Sequence, residues 1–201
     1  MSISTRMIFV LTFVGLVSGG ILASVGILTK DRIALNKQKE IEEAILLVLP
    51  GTQSSAVVFK EEDLTIYEGM DASNTSIGYA VLTKGTGFQD LISMMVGTDA
   101  ELSRIRRLTI LEQKETPGLG AKITSQEAFL QFWEDKDVSG PLSLRKPAAG
   151  SREDLAPNEV NTITGATISS QKVLEIVNRS LETAKKLKKD GALRQEVNDG
   201  N

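Results

Sequence analysis

The sequence predicts an α+β fold: a mixed or antiparallel sheet with flanking helices, preceded by one transmembrane helix. Three observations predict it. Residues 7–28 form a run of 22 positions without a charge. Five short β-type runs between residues 56 and 111 are separated by turn residues. Residues 168–189 repeat apolar side chains at the i, i+3, i+4 spacing of a helix packed on one side.

The charge-free run comes first. At ~1.5 Å per residue it reaches roughly 33 Å, enough to cross a hydrocarbon core of about 30 Å. Arg6 closes one end and Lys30, Asp31 and Arg32 close the other. A cleaved signal peptide has a shorter apolar core, about 7–15 residues, with a small-residue site after it. The nearest small-residue stretch, Ala23-Ser24-Val25-Gly26, lies inside the run, so an uncleaved anchor is expected. No Cys follows, which excludes lipoprotein processing. Lys30, Arg32, Lys37 and Lys39 outnumber Arg6, so the positive-inside bias alone would keep the carboxyl domain in the cytoplasm.

Residues 31–49 read as a helix leaving the membrane, with Ile33, Ile41, Ile45, Leu46 and Leu49 near helical spacing. Pro50-Gly51 stops it. Strands are expected at 56–59, 64–67, 77–83, 91–96 and 105–111. Gly69, Asp71-Ala72-Ser73-Asn74 and Gly85-Thr86-Gly87 supply turns between them. Thr124 with Glu127 makes a capping box, which predicts a helix from Ser125 with Ala128, Phe129, Phe132 and Trp133 on its apolar face. Pro141, Pro147, Gly150 and Pro157 make 135–160 irregular. In the last helix Val173, Ile176, Val177, Leu181, Ala184 and Leu187 form the stripe. Lys185, Lys186, Lys188 and Lys189 suit the negative end of its dipole, and Gly191 is the expected C′ residue. The domain plan is therefore a cytoplasmic tail (1–6), a transmembrane helix (7–28), a juxtamembrane helix (29–50), the main domain (51–190) and a flexible tail (191–201).

Composition narrows the chemistry. With no Cys and no His, the chain offers no disulfide, thiolate zinc site, Fe–S cluster, His-ligated haem or Ser-His-Asp triad. No metal site is expected. Electron transfer, if any, falls to an organic cofactor. The 26 acidic and 23 basic residues argue against a nucleic-acid partner.

Two segments could carry function. Glu115-Thr116-Pro117-Gly118-Leu119-Gly120 follows a strand; Pro117-Gly118 sets a tight turn, and Gly118 and Gly120 let backbone approach a ligand. Read alone, it is a strand-to-helix turn. Thr164-Gly165-Ala166-Thr167 enters the last helix. Read alone, its Thr is a cap. The free amides of a helix start also receive phosphate well, and Gly165 and Ala166 leave the Thr167 hydroxyl open.

Together these segments resemble a known family. With the amino-terminal span, Gly78-Tyr79, Gly85-x-Gly87-Phe88 and Val96-Gly97, the ETPGLG and TGAT runs make the chain similar to covalent-FMN subunits of ion-translocating redox complexes. The relatives are the G subunit of the Rnf complex and the C subunit of the sodium-translocating NADH:quinone reductase. The resemblance implies an FMN-binding domain on the extracytoplasmic side of the cell (inner) membrane, which opposes the charge count. It implies FMN joined through a phosphoester to Thr167 by a flavin transferase using FAD. It makes Thr164, Gly165 and Ala166 motif residues, and Glu115, Thr116, Gly118 and Leu119 candidate flavin contacts. No residue is catalytic by itself.

The implied function is electron carriage in a ferredoxin:NAD oxidoreductase coupled to Na⁺ or H⁺ movement. Its implied partners are the other membrane and peripheral subunits, the transferase and membrane lipid. Two departures stand out: Asn161 occupies the usual Asp position of D-x-x-[ST]-G-A-T, and Gln113 stands where a His often precedes ETPGLG. The rival reading is a membrane-anchored binding module without a redox role.

Overall fold

The computed structural model describes residues 2–193. The chain divides into two units between residues 42 and 43. The first unit is helix alone, part of α1 (Ile3–Val48), and its apolar window is long enough to cross a membrane and entirely exposed. The helix runs through the charge-free stretch and the charged one beyond it without a break.

The second unit opens with the last turn of α1, where Ala44, Ile45 and Val48 are buried, as is Leu49 directly after it. Of the expected stripe, Ile45 and Leu49 are inside, while Ile33 and Leu46 are exposed. Gly51 ends the turn at φ +96, a conformation that suits glycine.

A six-stranded sheet follows in chain order: β1 (Ser54–Lys60), β2 (Leu64–Met70), β3 (Ser76–Thr86), β4 (Leu91–Thr98), β5 (Arg104–Glu112) and the short β6 (Lys136–Asp137). Every pair in it is antiparallel. The five expected strands are all present, each longer than its apolar run. The reason is turn chemistry. Asp71 accepts hydrogen bonds from the amides of Ser73 and Thr75 in one hairpin. Asp99 accepts from the Ser103 and Arg104 amides in another.

Alternation along the strands makes two faces. Val81 opposite Val96 belongs to the main core, with α2 (Thr167–Lys189) contributing Val173, Ile176, Val177, Leu181 and Ala184. Burying each larger aliphatic side chain stabilises by roughly 1.5–3 kcal/mol. Ala80 opposite Gly97 lies on the other face, against the end of α1: a Cβ on Gly97 would stand 2.2 Å from the Val48 carbonyl oxygen. Gly191 follows α2 at φ +68, donating to the Lys188 carbonyl, as its C′ role requires. The expected flexible tail lies outside the described residues from 194 on.

The helix expected from Ser125 is absent. Gly120–Thr124 and Leu130–Trp133 are 3-10 turns instead. The Thr124 hydroxyl donates back to the Ala121 carbonyl and so caps nothing ahead of it. Phe129 and Trp133 are fully buried, edge to face at 5.6 Å, and Asp135 at φ +57 turns the chain into β6. Packing of the two aromatics decides the backbone here, over the local capping signal. The irregular stretch also holds a parallel pair, β7 (Ser143–Arg145) with β8 (Glu159–Asn161). β8 delivers the chain to the start of α2.

Candidate functional site

Three segments converge beside the start of α2: the β3–β4 turn at 87–90, the run 113–120 after β5, and residues 161–169. Glu115 joins them. Its side chain is 4% exposed. Oε1 accepts hydrogen bonds from the amides of Phe88 (2.8 Å) and Gln89 (3.1 Å), and Oε2 accepts from the Ser169 hydroxyl at 2.7 Å. The Gln113 side-chain oxygen accepts from the Glu115 amide at 2.6 Å. Gln89 Nε2 donates to Thr116 Oγ1 at 2.8 Å. On the outer side, Lys114 pairs with Asp90 at 3.1 Å. The Leu91 amide and then Lys114 hold the Asp90 carboxyl below its ordinary range.

The glycines explain how a carboxylate fits there. A Cβ on Gly87 would come within 2.5 Å of Glu115 Oε1. One on Gly120 would come within 2.6 Å of Ser169 Oγ and 2.7 Å of Glu115 Oε2. Gly120 therefore makes room for Glu115 and Ser169. Gly118, at φ +76 with open space around it, serves the turn.

α2 begins without a side-chain cap: its N-cap residue is Ala166. Thr164 is exposed and makes no capping bond, so the cap reading of this segment is corrected. The turn before the helix is held by Ser170 instead, whose hydroxyl accepts from the Ile163 amide and donates to the Ala166 carbonyl. Gly165 at φ +85 reverses the chain. The first helical bond runs from the Ser170 amide to the Ala166 carbonyl. Among the described residues, nothing accepts from the amides of Thr167, Ile168 and Ser169, and the Thr167 hydroxyl is unbonded. These are the orphan donors of a helix start, at its positive end.

A cleft of about 290 Å³ opens at this point. Of the expected site residues, Glu115, Thr116, Leu119, Gly165, Ala166 and Thr167 line it; Thr164 and Gly118 do not. Phe88, Gly120, Ile168 and Ser169 also line it. Phe88, Leu119 and Ile168 are at least half exposed, giving the cleft an apolar rim. Ser169 and Ile168 carried no signal of their own in the sequence beyond their place in the helix entry. The residues fit FMN on three counts: an open hydroxyl, free amides for a phosphate, and apolar surface for a ring system.

Asn161 lies behind the site, 3% exposed. Its amide works in both directions on one residue: Oδ1 accepts from the Ala149 amide at 2.8 Å and Nδ2 donates to the Ala149 carbonyl at 3.0 Å. This pins the segment after β7 to the end of β8.

Comparison with known proteins agrees with this geometry. Residues 87–182 match the model of the FMN-binding domain, a span that begins at Gly87 and takes in all three segments. The chain is 28% identical to the G subunit of the ion-translocating oxidoreductase complex of Methanosarcina acetivorans, over 89% of this chain and 93% of that one. It is 31% identical to the G subunit of the Na(+)-translocating ferredoxin:NAD(+) oxidoreductase complex of Acetobacterium woodii, over 64% of this chain and 59% of that one. The fold is shared with two crystal structures. One is NqrC from Shewanella oneidensis (TM-score 0.52, 19% identity, 70% of this chain and 72% of that one). The other is the C subunit of the Na(+)-translocating NADH-quinone reductase from Parabacteroides distasonis (TM-score 0.53, 20% identity, 68% and 78%). The resemblance read from ETPGLG and TGAT is thus borne out by relatives of the same kind, with residues 87–182 matching the FMN-binding domain.

Proposed function

We propose that this chain is an electron-carrier subunit of a membrane-bound, ion-translocating ferredoxin:NAD oxidoreductase, and that it holds FMN covalently on Thr167. One observation carries the attachment: an unbonded hydroxyl at the uncapped start of a 23-residue helix, facing an open cleft. The amides of Thr167, Ile168 and Ser169 would receive the phosphate. Phe88, Leu119 and Ile168 would shield the ring. Gly165 and Ala166 keep bulk away from the hydroxyl. The FMN supplies one- and two-electron chemistry, and the protein supplies its position and electrostatics.

Loading requires a flavin transferase. The Thr167 oxygen forms the bond to phosphorus, its proton leaves, and AMP is released from FAD. Covalent attachment suits a carrier open to solvent, which would otherwise lose its flavin by dilution. The names of the relatives support the remaining partners: the other membrane and peripheral subunits of such a complex. Lipid would surround residues 7–28 of α1.

Replacing Thr167 with Val tests the attachment, since Val matches the shape and lacks the hydroxyl. Full-length protein made with a transferase should be yellow, heavier by one FMN ester in intact mass, and fluorescent in a denaturing gel. The Thr167→Val protein should fold and show none of these. A fluorescent band that persists would overturn the assignment. A binding module without redox function would give colourless wild-type protein.

The proposed location is single-pass, with residues 1–6 in the cytoplasm and 29–201 outside the cell (inner) membrane. A reporter active only in the cytoplasm should be silent when fused after Asn201. An active one would reverse the topology.

A further inference from the structure

We propose that Glu115 sets the reduction potential of the flavin, as a buried negative charge fixed at the wall of the Thr167 cleft. The inference rests on the FMN reading above and goes beyond attachment. Three facts carry it. Glu115 is 4% exposed yet lines the cleft. Its oxygens accept from two amides and one hydroxyl, all neutral donors. Among the described residues, none of the ion pairs includes it. The charge is therefore stabilised in place but not cancelled.

A carboxylate in this position opposes the arrival of an electron. Water screens it poorly, because the side chain is inside. Reduction of flavin adds negative charge, so a fixed neighbour of the same sign holds the potential down. Hydrogen bonds from Phe88, Gln89 and Ser169 keep the carboxylate from moving away from that charge. Gly87 and Gly120, which leave its oxygens space, belong to the same device. Glu115 is a positioning and tuning residue, and nothing is transferred to or from it.

The network permits a clean separation of charge from connection. In Glu115→Gln the side-chain oxygen still accepts from the Phe88 and Gln89 amides. The new amide donates to Ser169 Oγ, which reverses its role from donor to acceptor. The three links survive and the charge is lost; the second amide hydrogen and the Ser169 proton no longer have the carboxylate as acceptor, a cost that the unfolding temperature reads separately.

The experiment is a spectroelectrochemical titration of the loaded, full-length protein at pH 8, with thermal unfolding of the same samples. Glu115→Gln should load normally, unfold near the wild-type temperature and show a higher midpoint potential. Ser169→Ala should shift the potential the opposite way, because the carboxylate loses a donor that spreads its charge. Ser169→Thr should restore the wild-type value. An unchanged or lower potential in loaded Glu115→Gln would overturn the proposal. Should that variant not load, Ser169→Ala decides: a downward shift supports the proposal and its absence rejects it. Wild-type protein that takes no flavin would instead defeat the FMN reading itself.

Discussion

Asn161→Asp restores the residue that the motif usually carries, and the structure argues that this chain will not tolerate it well. Asn161 donates to the Ala149 carbonyl at 3.0 Å and accepts from the Ala149 amide at 2.8 Å. An ionised Asp keeps the second bond and loses the first. Its other oxygen then faces a carbonyl oxygen inside the protein. Losing a hydrogen bond costs about 0.5–1.5 kcal/mol, and leaving buried polar groups unmatched adds about 1–3 kcal/mol, so a loss of about 1.5–4.5 kcal/mol is expected at pH 8.

For a domain of this size that is about 3–18 °C in Tm. The pH dependence has a definite sign. Repulsion and burial raise the introduced carboxyl above its unfolded value of about 3.9. A raised folded value means stability that is present at acid pH and lost as pH rises through it. Once protonated, the carboxyl donates to Ala149 and accepts from it, restoring both bonds. Thermal unfolding of the full-length variant should therefore show a large penalty at pH 8 and a much smaller one near pH 4. An equal penalty at both pH values, or none at pH 8, would refute the two-way clamp. Flavin loading, followed on the same samples by gel fluorescence, should not exceed wild type.

Two further outcomes concern the scaffold. Gly97→Ala should destabilise by about 1–3 kcal/mol, since its Cβ would meet the Val48 carbonyl oxygen, a backbone atom, at 2.2 Å; Gly26→Ala, with nothing within 4 Å, should leave domain unfolding unchanged in the same melts. Burial pushes Asp99 up, but donation from the Ser103 hydroxyl and the Ser103 and Arg104 amides outweighs it and holds the carboxyl below its ordinary range. Its contribution is present above the unfolded value and lost as pH falls through the folded one. Asp99→Ala should thus cost about 1–2 kcal/mol at pH 7 and progressively less in acid, and a cost independent of pH would count against it.

The sheet was legible because its turns are local. Asp71 bonds to residues two and four places on, and Asp99 to residues four and five places on, so a short window of sequence contains both partners. α2 was legible for a similar reason: its stripe repeats within a few residues. The stretch from 125 to 161 was not. A capping box pointed to a helix at Ser125, but Phe129 and Trp133 are buried in a core assembled from distant strands. Two- and three-residue strands such as β6 and β7 have too few side chains to show a period. Their partners lie across the fold, Asp137 against Arg104 and Leu144 against Val160.

The site divides along the same line. Glu115 and Thr167 stand in motifs whose glycines and threonines are visible in the chain, so their importance could be read. Their relation could not. Ser169 reaches Glu115 across 54 residues, and Phe88 and Gln89 reach it across 27 and 26. The meaning of Gly120 depends on that closure. A glycine beside a turn suggests approach by a ligand, and Gly120 does line the cleft, but a carboxylate and a hydroxyl of the protein itself also need its space. The two motifs are therefore halves of one construction. The first supplies a buried charge, and the second supplies the helix start that both holds this charge through Ser169 and leaves the Thr167 hydroxyl free. A substitution in either half should be felt in the other, which is why Glu115→Gln, preserving every link, isolates the charge, whereas most other changes at this position would also disturb the entry to α2.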